Sequence, residues 1–258
     1  MKFTACLALI LLTVVPAAGG VHTEVVEYKQ DSTVLEGYLA YDDSVTDKRP
    51  GVLVIHEWKG ISPYERKRVE QLAAIGYIAF AADIYGKGVR PATAEEAGKV
   101  AGIYRSNRGL LRLRAQAGLD ALKAFIRTDG ARTAAIGYCF GGTTVLELAR
   151  SGAIVSGVVS FHGGLDTPTP GDAKNIKGKV LILTGADDPF VPEAQRVAIQ
   201  DEMEKAKVDW QMVLYGGAVH SFTNPASGNN PSAGIAYNEE ADKRSWGAMR
   251  LFFDEIFK

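Results

Sequence analysis

Residues 134–149 read AAIGYCFGGTTVLELA: an apolar run closes on a cysteine set between glycines, and a helical pattern follows at once. Gly137-Tyr138-Cys139-Phe140-Gly141 has the Gly-x-nucleophile-x-Gly spacing of a nucleophile elbow. A strand that turns this tightly into a helix brings backbone against backbone, so its flanking positions favour residues without a Cβ. The central side chain is lifted above the sheet at a helix N-terminus, where the dipole favours an anion. There the N–H of Phe140 can face a developing oxyanion. Cysteine also buries well as a small core residue, so the spacing alone leaves both readings open. Gly137 to Thr144 further approaches the phosphate-loop pattern, but Thr143 stands where that pattern needs its lysine.

Working outward, strand and helix patterns alternate along the chain. Two alternating stretches around Gln30-Asp31-Ser32 predict an antiparallel hairpin. PGVLVIHEW predicts a buried strand ending near Glu57. SPYE then predicts a helix capped by Ser62, with Pro63 first and Glu65 closing a capping box, and Gly76 stopping it. YIAFAADIYG is the next strand, and Thr93 with Glu96 repeats the capping pattern before a helical region that runs, broken near SNRG, to about Arg127. Beyond the elbow, AIVSGVVSFHG and GKVLILTGADD predict strands, PEAQRVAIQDEMEKAK a helix, DWQMVLYGG a strand and EEADKRSWGAMRLFFDEIF a closing helix. This order predicts an α/β fold: a mostly parallel twisted sheet, helices on both faces, and an N-terminal antiparallel hairpin at one edge. Ligands in such sheets bind at the carboxyl ends of the strands.

The chain has 258 residues, 47% of them hydrophobic, a net charge of −1 and two cysteines. Residues 1–19, MKFTACLALILLTVVPAAG, combine Lys2, an apolar stretch and small residues at the end, the anatomy of a cleaved export signal rather than a membrane anchor. A lipid on Cys6 fits poorly, because no apolar region precedes it. The expected mature protein is one domain over 20–258, periplasmic or secreted, with no stable membrane anchor and a monomer favoured. Its single remaining cysteine, Cys139, has no internal disulfide partner. The near-neutral charge without a basic block argues against nucleic acid, and Arg105, Arg108, Arg112 and Arg114 read as solvated helix faces. One cysteine and scattered histidines do not make a zinc set, so no metal or cofactor is expected.

A cysteine nucleophile needs a base and an orienting acid, in the chain order nucleophile, acid, histidine. Of four histidines, His22 lies at the mature N-terminus, His56 ends an early strand, and His162 precedes any suitable acid. His220 follows the last strand, where the base belongs. For the acid, the loop LILTGADDPFVP offers both Asp187 and Asp188.

HEWKG, DIYGKG, GYCFGG, GADDPFVP and HSF together make the chain resemble the dienelactone hydrolase family of the α/β-hydrolase fold, over nearly all of its mature length. The resemblance implies Asp188 as the acid, from the pattern Gly185, Asp188, Val191, Pro192, and hence a Cys139–His220–Asp188 triad. It also implies Glu57 as an active-site glutamate and the N–H of Trp58 as a second oxyanion donor beside Phe140. Two negative groups about 4 Å apart repel by roughly 4 kcal/mol at an effective dielectric near 20, so a nearby Glu57 favours a neutral thiol; the resemblance implies that Glu57 takes the thiol proton when substrate binding reorients it. Tyr85, Phe190, Phe222 and the loop NPASGNNPSAG are implied to line or cover the pocket. The family's two carboxylate-binding arginines fall on Asn224 and Lys87, with Arg90 close by, a departure that argues against an anionic dienelactone. The implied activity is hydrolysis of small carboxylic esters or lactones through a thioester. A generalist carboxylesterase or thioesterase, or a redox-sensing or binding protein on the same fold, would share these residues.

Overall fold

The computed structural model describes residues 20–258; the export signal expected at 1–19 lies outside them. Eight strands form one sheet in the order β1-β2-β4-β3-β5-β6-β7-β8. The hairpin of β1 (Val21–Gln30) and β2 (Thr33–Asp42) is antiparallel and occupies one edge. From β4 (Ile78–Ala82) and β3 (Arg49–Ile55) through β5 (Thr128–Tyr138), β6 (Gly157–Phe161), β7 (Lys179–Gly185) and β8 (Trp210–Tyr215), all pairings are parallel. This is the α/β sheet that the alternating pattern predicts.

The central strands are buried on both faces, which is why they read as continuous apolar runs. In β3, Val52 and Val54 join one core while Leu53 and Ile55 join the other. Helices α1 (Pro63–Ala74) and α6 (Glu239–Ile256) cover the first face through Val69, Leu72, Met249 and Phe252. The second face is covered by α2 (Ala94–Ser106), α3 (Arg108–Ala124), α4 (Phe140–Arg150) and α5 (Glu193–Ala206). Both capping boxes form: Ser62 with Glu65 opens α1, and Thr93 with Glu96 opens α2. The break near SNRG is Asn107, which ends α2 and caps α3.

Two local expectations need correction, and one element was not foreseen. The strand expected over 153–163 is only Gly157–Phe161, because register with β5 and β7 begins at Gly157, after the turn at 151–152 and an irregular stretch to Ser156. A short 3-10 helix at Pro170–Asn175, not read from the sequence, fills the connection to β7. Of the arginines of 105–114, only Arg105 is exposed as a solvated helix face would be. Arg114 is buried against Thr33, and Arg112 binds Glu147 at 2.8 Å and Asp172 at 2.7 Å. Arg108 reaches Asp166 at 3.0 Å, and Arg105 and Arg108 both border the main cavity.

Candidate active site

Because β5 ends at Tyr138 and α4 begins at Phe140, Cys139 alone makes the turn. Its backbone has φ 52° and ψ −112°, a conformation that costs a non-glycine residue about 1–3 kcal/mol. The glycines explain how the turn closes. A Cβ on Gly137 would stand 2.0 Å from the Gly141 carbonyl oxygen, and one on Gly141 would stand 2.2 Å from that of Ile55. The half-buried sulfur opens onto a cavity of about 900 Å³ at the carboxyl ends of the parallel strands.

The loops after β7 and β8 bring two further groups to this point. His220 Nε2 lies 3.1 Å from Cys139 Sγ, and its Nδ1 lies 2.8 Å from Asp188 Oδ2. Asp188 is buried and is held in place by the Phe190 N–H, which donates to its other oxygen at 2.8 Å. Asp187 is exposed. With Nδ1–H donating to Asp188, Nε2 is free to take a proton from the sulfur. Burial alone would lower the basicity of His220, but the Cys139 sulfur and the Asp188 carboxylate outweigh it and raise its pKa to about 10. The arrangement thus makes His220 a stronger base than a free imidazole.

Glu57 lines the same cavity and makes no ion pair among the described residues. Ser221 donates its hydroxyl to one carboxylate oxygen at 2.9 Å, and the Asn224 amide donates to the other at 2.6 Å. Burial, followed by the nearby charge of Glu65, lifts the Glu57 pKa to about 7 against these hydrogen bonds. The same Glu65 accepts the Glu57 N–H at 2.9 Å, so the capping box of α1 also fixes the start of this loop. His56 fixes it from the other side: its Nδ1 donates to the Glu57 carbonyl at 2.5 Å, and its Nε2 accepts the Ile84 N–H at 3.2 Å. Burial keeps His56 neutral by lowering its pKa. The N–H of Phe140, first in its helix, has no intrahelical acceptor. Nor does the Trp58 N–H meet an acceptor among the described residues.

The remaining residues singled out from sequence divide clearly. Phe190 borders the cavity and sets the edge of its ring against His220, with centroids 5.3 Å apart. Asn224 borders it too, as a ligand of Glu57 rather than of an anion. Tyr85 does not line the cavity; it is buried and donates its hydroxyl to the Trp58 carbonyl at 2.9 Å, holding the loop from behind. Phe222 is fully buried against His162 and Tyr215. Lys87 pairs on the outer surface with Glu27, and Arg90 lies 3.6 Å from the buried carboxylate of Asp83. Neither cation reaches the cavity. Loop NPASGNNPSAG forms two short 3-10 turns, and Ala226 and Ser227 contribute to the wall. Sequence reasoning missed Ser221, Arg105 and Arg108 in the wall; the HSF motif contains Ser221, but nothing local gives it Glu57 as a partner. Among the described residues, no cluster of His, Cys, Asp and Glu is arranged to hold a metal ion, and no helix is long and apolar enough to cross a membrane.

A parallel sheet with a sharp strand–turn–helix at its centre and a His–Asp pair on the two following loops is the architecture of an α/β-hydrolase. The sequence profile of the dienelactone hydrolase family matches residues 35–257, and the chain belongs to that family. It is accordingly a hydrolase of ester or lactone bonds. Protein usf of Aquifex pyrophilus is 30% identical over 239 residues, covering 90% of this chain and 98% of the relative. Among solved structures, m3DLH is 42% identical, with a TM-score of 0.90 over 93% of this chain and all of that one. A structure described as a dienelactone hydrolase-like promiscuous phosphotriesterase from metagenomic libraries is 41% identical, with a TM-score of 0.88 over 93% of this chain and 100% of that chain.

Proposed function

We propose that the chain hydrolyses small carboxylic esters or lactones with Cys139 as nucleophile. The supporting observation is the unbroken contact from Sγ through His220 to Asp188 at the floor of an accessible cavity. As sulfur attacks the carbonyl carbon, the thiol proton passes to His220 Nε2, and the carbonyl electron pair moves onto oxygen. That oxyanion rests on the N–H groups of Trp58 and Phe140. Collapse expels the alkoxide, which takes the proton from His220 and leaves a thioester on Cys139. Water then attacks the thioester with His220 as base, and the acid leaves with the thiol restored. Asp188 keeps the imidazole in the required tautomer throughout.

Glu57 is the local control on the sulfur in this reading. Its carboxyl is held by Ser221 and Asn224, both neutral; a protonated His220 favours its ionised form, and burial and Glu65 oppose it. An ionised Glu57 opposes charge on the neighbouring sulfur, and a protonated one does not. The chain is further proposed to be exported, on the strength of the leader pattern in residues 1–19.

Replacing Cys139 by alanine tests the nucleophile. Hydrolysis of an activated ester is expected to fall by at least about 10³-fold, the scale of losing a covalent nucleophile. Equal rates before and after would move the chemistry elsewhere. The substrate range follows from a panel of neutral esters, carboxylate-bearing esters, lactones, thioesters and one phosphotriester. With Lys87 and Arg90 outside the cavity, uncharged esters and lactones are expected to dominate; a clear preference for carboxylate-bearing members would assign an anion site to Arg105 and Arg108.

A further inference from the structure

His162 takes no part in the reaction just described, yet it is fully buried directly behind it. Its Nδ1 accepts the Cys139 N–H at 3.1 Å, an N–H shared with the Phe161 carbonyl at 3.0 Å. Its Nε2 meets the Thr223 hydroxyl at 2.7 Å. An Nδ1 that accepts from a backbone N–H carries no proton, so the ring proton sits on Nε2 and is donated to Thr223. The two ring nitrogens therefore bind two different loops. One carries the nucleophile; the other carries His220, the base, Ser221 and Asn224, the two ligands of Glu57, and Thr223, the partner of His162.

These loops are under backbone strain where they meet. Cys139 (φ 52°), His162 (φ 39°) and Ser221 (φ 59°) are three of the five non-glycine residues with positive φ among the described residues. Strained conformations persist only where their surroundings over-determine them. Thr223 is fixed in turn: Tyr64 OH lies 2.5 Å from its hydroxyl, and Arg68, paired with Asp242 on α6, donates to its carbonyl at 2.9 Å. The ring is enclosed by Tyr138, His220 and Phe222. Burial first, then the positive charges facing it from His220 and Arg68, hold it neutral by driving its pKa well down.

We propose that His162 is a positioning residue: its neutral imidazole ties the strained Cys139 turn to the 220–224 loop and so sets the register between the sulfur and His220. The inference rests on Cys139 being the nucleophile. A misplacement of about 1 Å in such a contact can cost on the order of a hundredfold in rate. Direct sulfur–imidazole contact is also what makes the thiol reactive toward alkylating agents.

Three variants test this: His162→Phe, which removes both contacts; His162→Asn, whose amide oxygen can still accept the Cys139 N–H; and Thr223→Val, which removes only the far contact. Each is measured for kcat and KM on a neutral ester, for melting temperature, and for the pH profile of Cys139 alkylation by iodoacetamide. His162→Phe is expected to lower kcat about 10- to 100-fold, with KM changing less than about threefold. Its alkylation profile should move toward that of His220→Ala, and His162→Asn should recover part of both losses. Thr223→Val should shift the profile in the same direction by a smaller step, and it decides the matter if His162→Phe does not fold. A melting temperature that falls while the profile stays at the wild-type position would overturn the proposal, leaving His162 a packing residue. So would a wild-type profile in a folded Thr223→Val. Because alkylation needs no turnover, it reads the sulfur–imidazole register even if Cys139→Ala shows the ester chemistry to lie elsewhere.

Discussion

Glu57 carries an unusual burden for one residue, since its carboxyl is most stable in the fold when uncharged. Its pKa rises from an ordinary value of 4.5 to about 7. Between those values the folded chain binds the proton and the unfolded chain releases it, so stability falls as pH rises from about 4.5 through 7. Replacing Glu57 by glutamine keeps the hydrogen-bonding shape and removes this dependence. The variant should gain little at pH 4.5 and up to about 3 kcal/mol over wild type at pH 8, the upper bound for a shift of this size. Urea unfolding at the two pH values measures it, and equal gains at both would show that the side chain ionises as freely in the fold as outside it. The residues around Glu57 show where sequence reading reaches its limit. Cys139 and His220 were legible because a glycine spacing and a place after the last strand each define a position. Asp188 needed the family pattern to separate it from Asp187; the structure separates them by burial. Lys87 and Tyr85 lie in the loop after a site-forming strand, yet one points to Glu27 and the other backs Trp58. Direction of a loop side chain follows from tertiary contacts that no local pattern encodes.

At the scale of elements, helix α4 is held at both ends. Its N-terminus is the crowded turn at Cys139; its C-terminal end is tied by Arg150, whose guanidinium is fully buried. Arg150 binds Glu202 of α5 at 2.7 and 2.9 Å and Glu147 of its own helix at 3.0 Å, and Glu147 also receives Arg112 from α3. Removing one member of a buried ionic cluster strands the others, at about 3–5 kcal/mol. Arg150→Met should destabilise by that amount in guanidinium unfolding, while Lys243→Met, from an exposed pair on α6, should not measurably change the midpoint. Equal effects would mean that the cluster is no better than a surface pair. The other end yields a sharper expectation. Gly137→Ala places a carbon 2.0 Å from a carbonyl oxygen, so activity should be lost even in whatever fraction folds, measured as rate per titrated thiol. Elements themselves were largely legible, because capping residues and apolar runs are local signals. The ionic cluster was not: helical periodicity assigns Arg112 to a helix, but its partners Glu147 and Asp172 come from two other segments of the chain.

For the whole molecule, alternating strand and helix patterns already imply the mixed sheet and its antiparallel edge, since short connections and covered faces leave few other arrangements. The edge hairpin also bears on how the chain begins. β1 starts at Val21 and pairs with β2 over ten positions, from Val21 with Asp42 to Gln30 with Thr33. Gly20 adds a final link, its N–H to the Asp43 carboxylate at 3.0 Å and its carbonyl to the Asp43 N–H at 3.2 Å. A leader ending at 19 would leave this ladder whole, whereas cleavage only a few residues later would remove pairs from an edge strand that has one neighbour. Removal of 1–19 also takes away Cys6, leaving one thiol, that of Cys139. Protein recovered from the periplasm of an expression host should therefore have the intact mass of residues 20–258 and titrate one thiol per chain after denaturation. A full-length mass confined to the cytoplasm would overturn export, and two titratable thiols in the exported fraction would show that the leader stays attached.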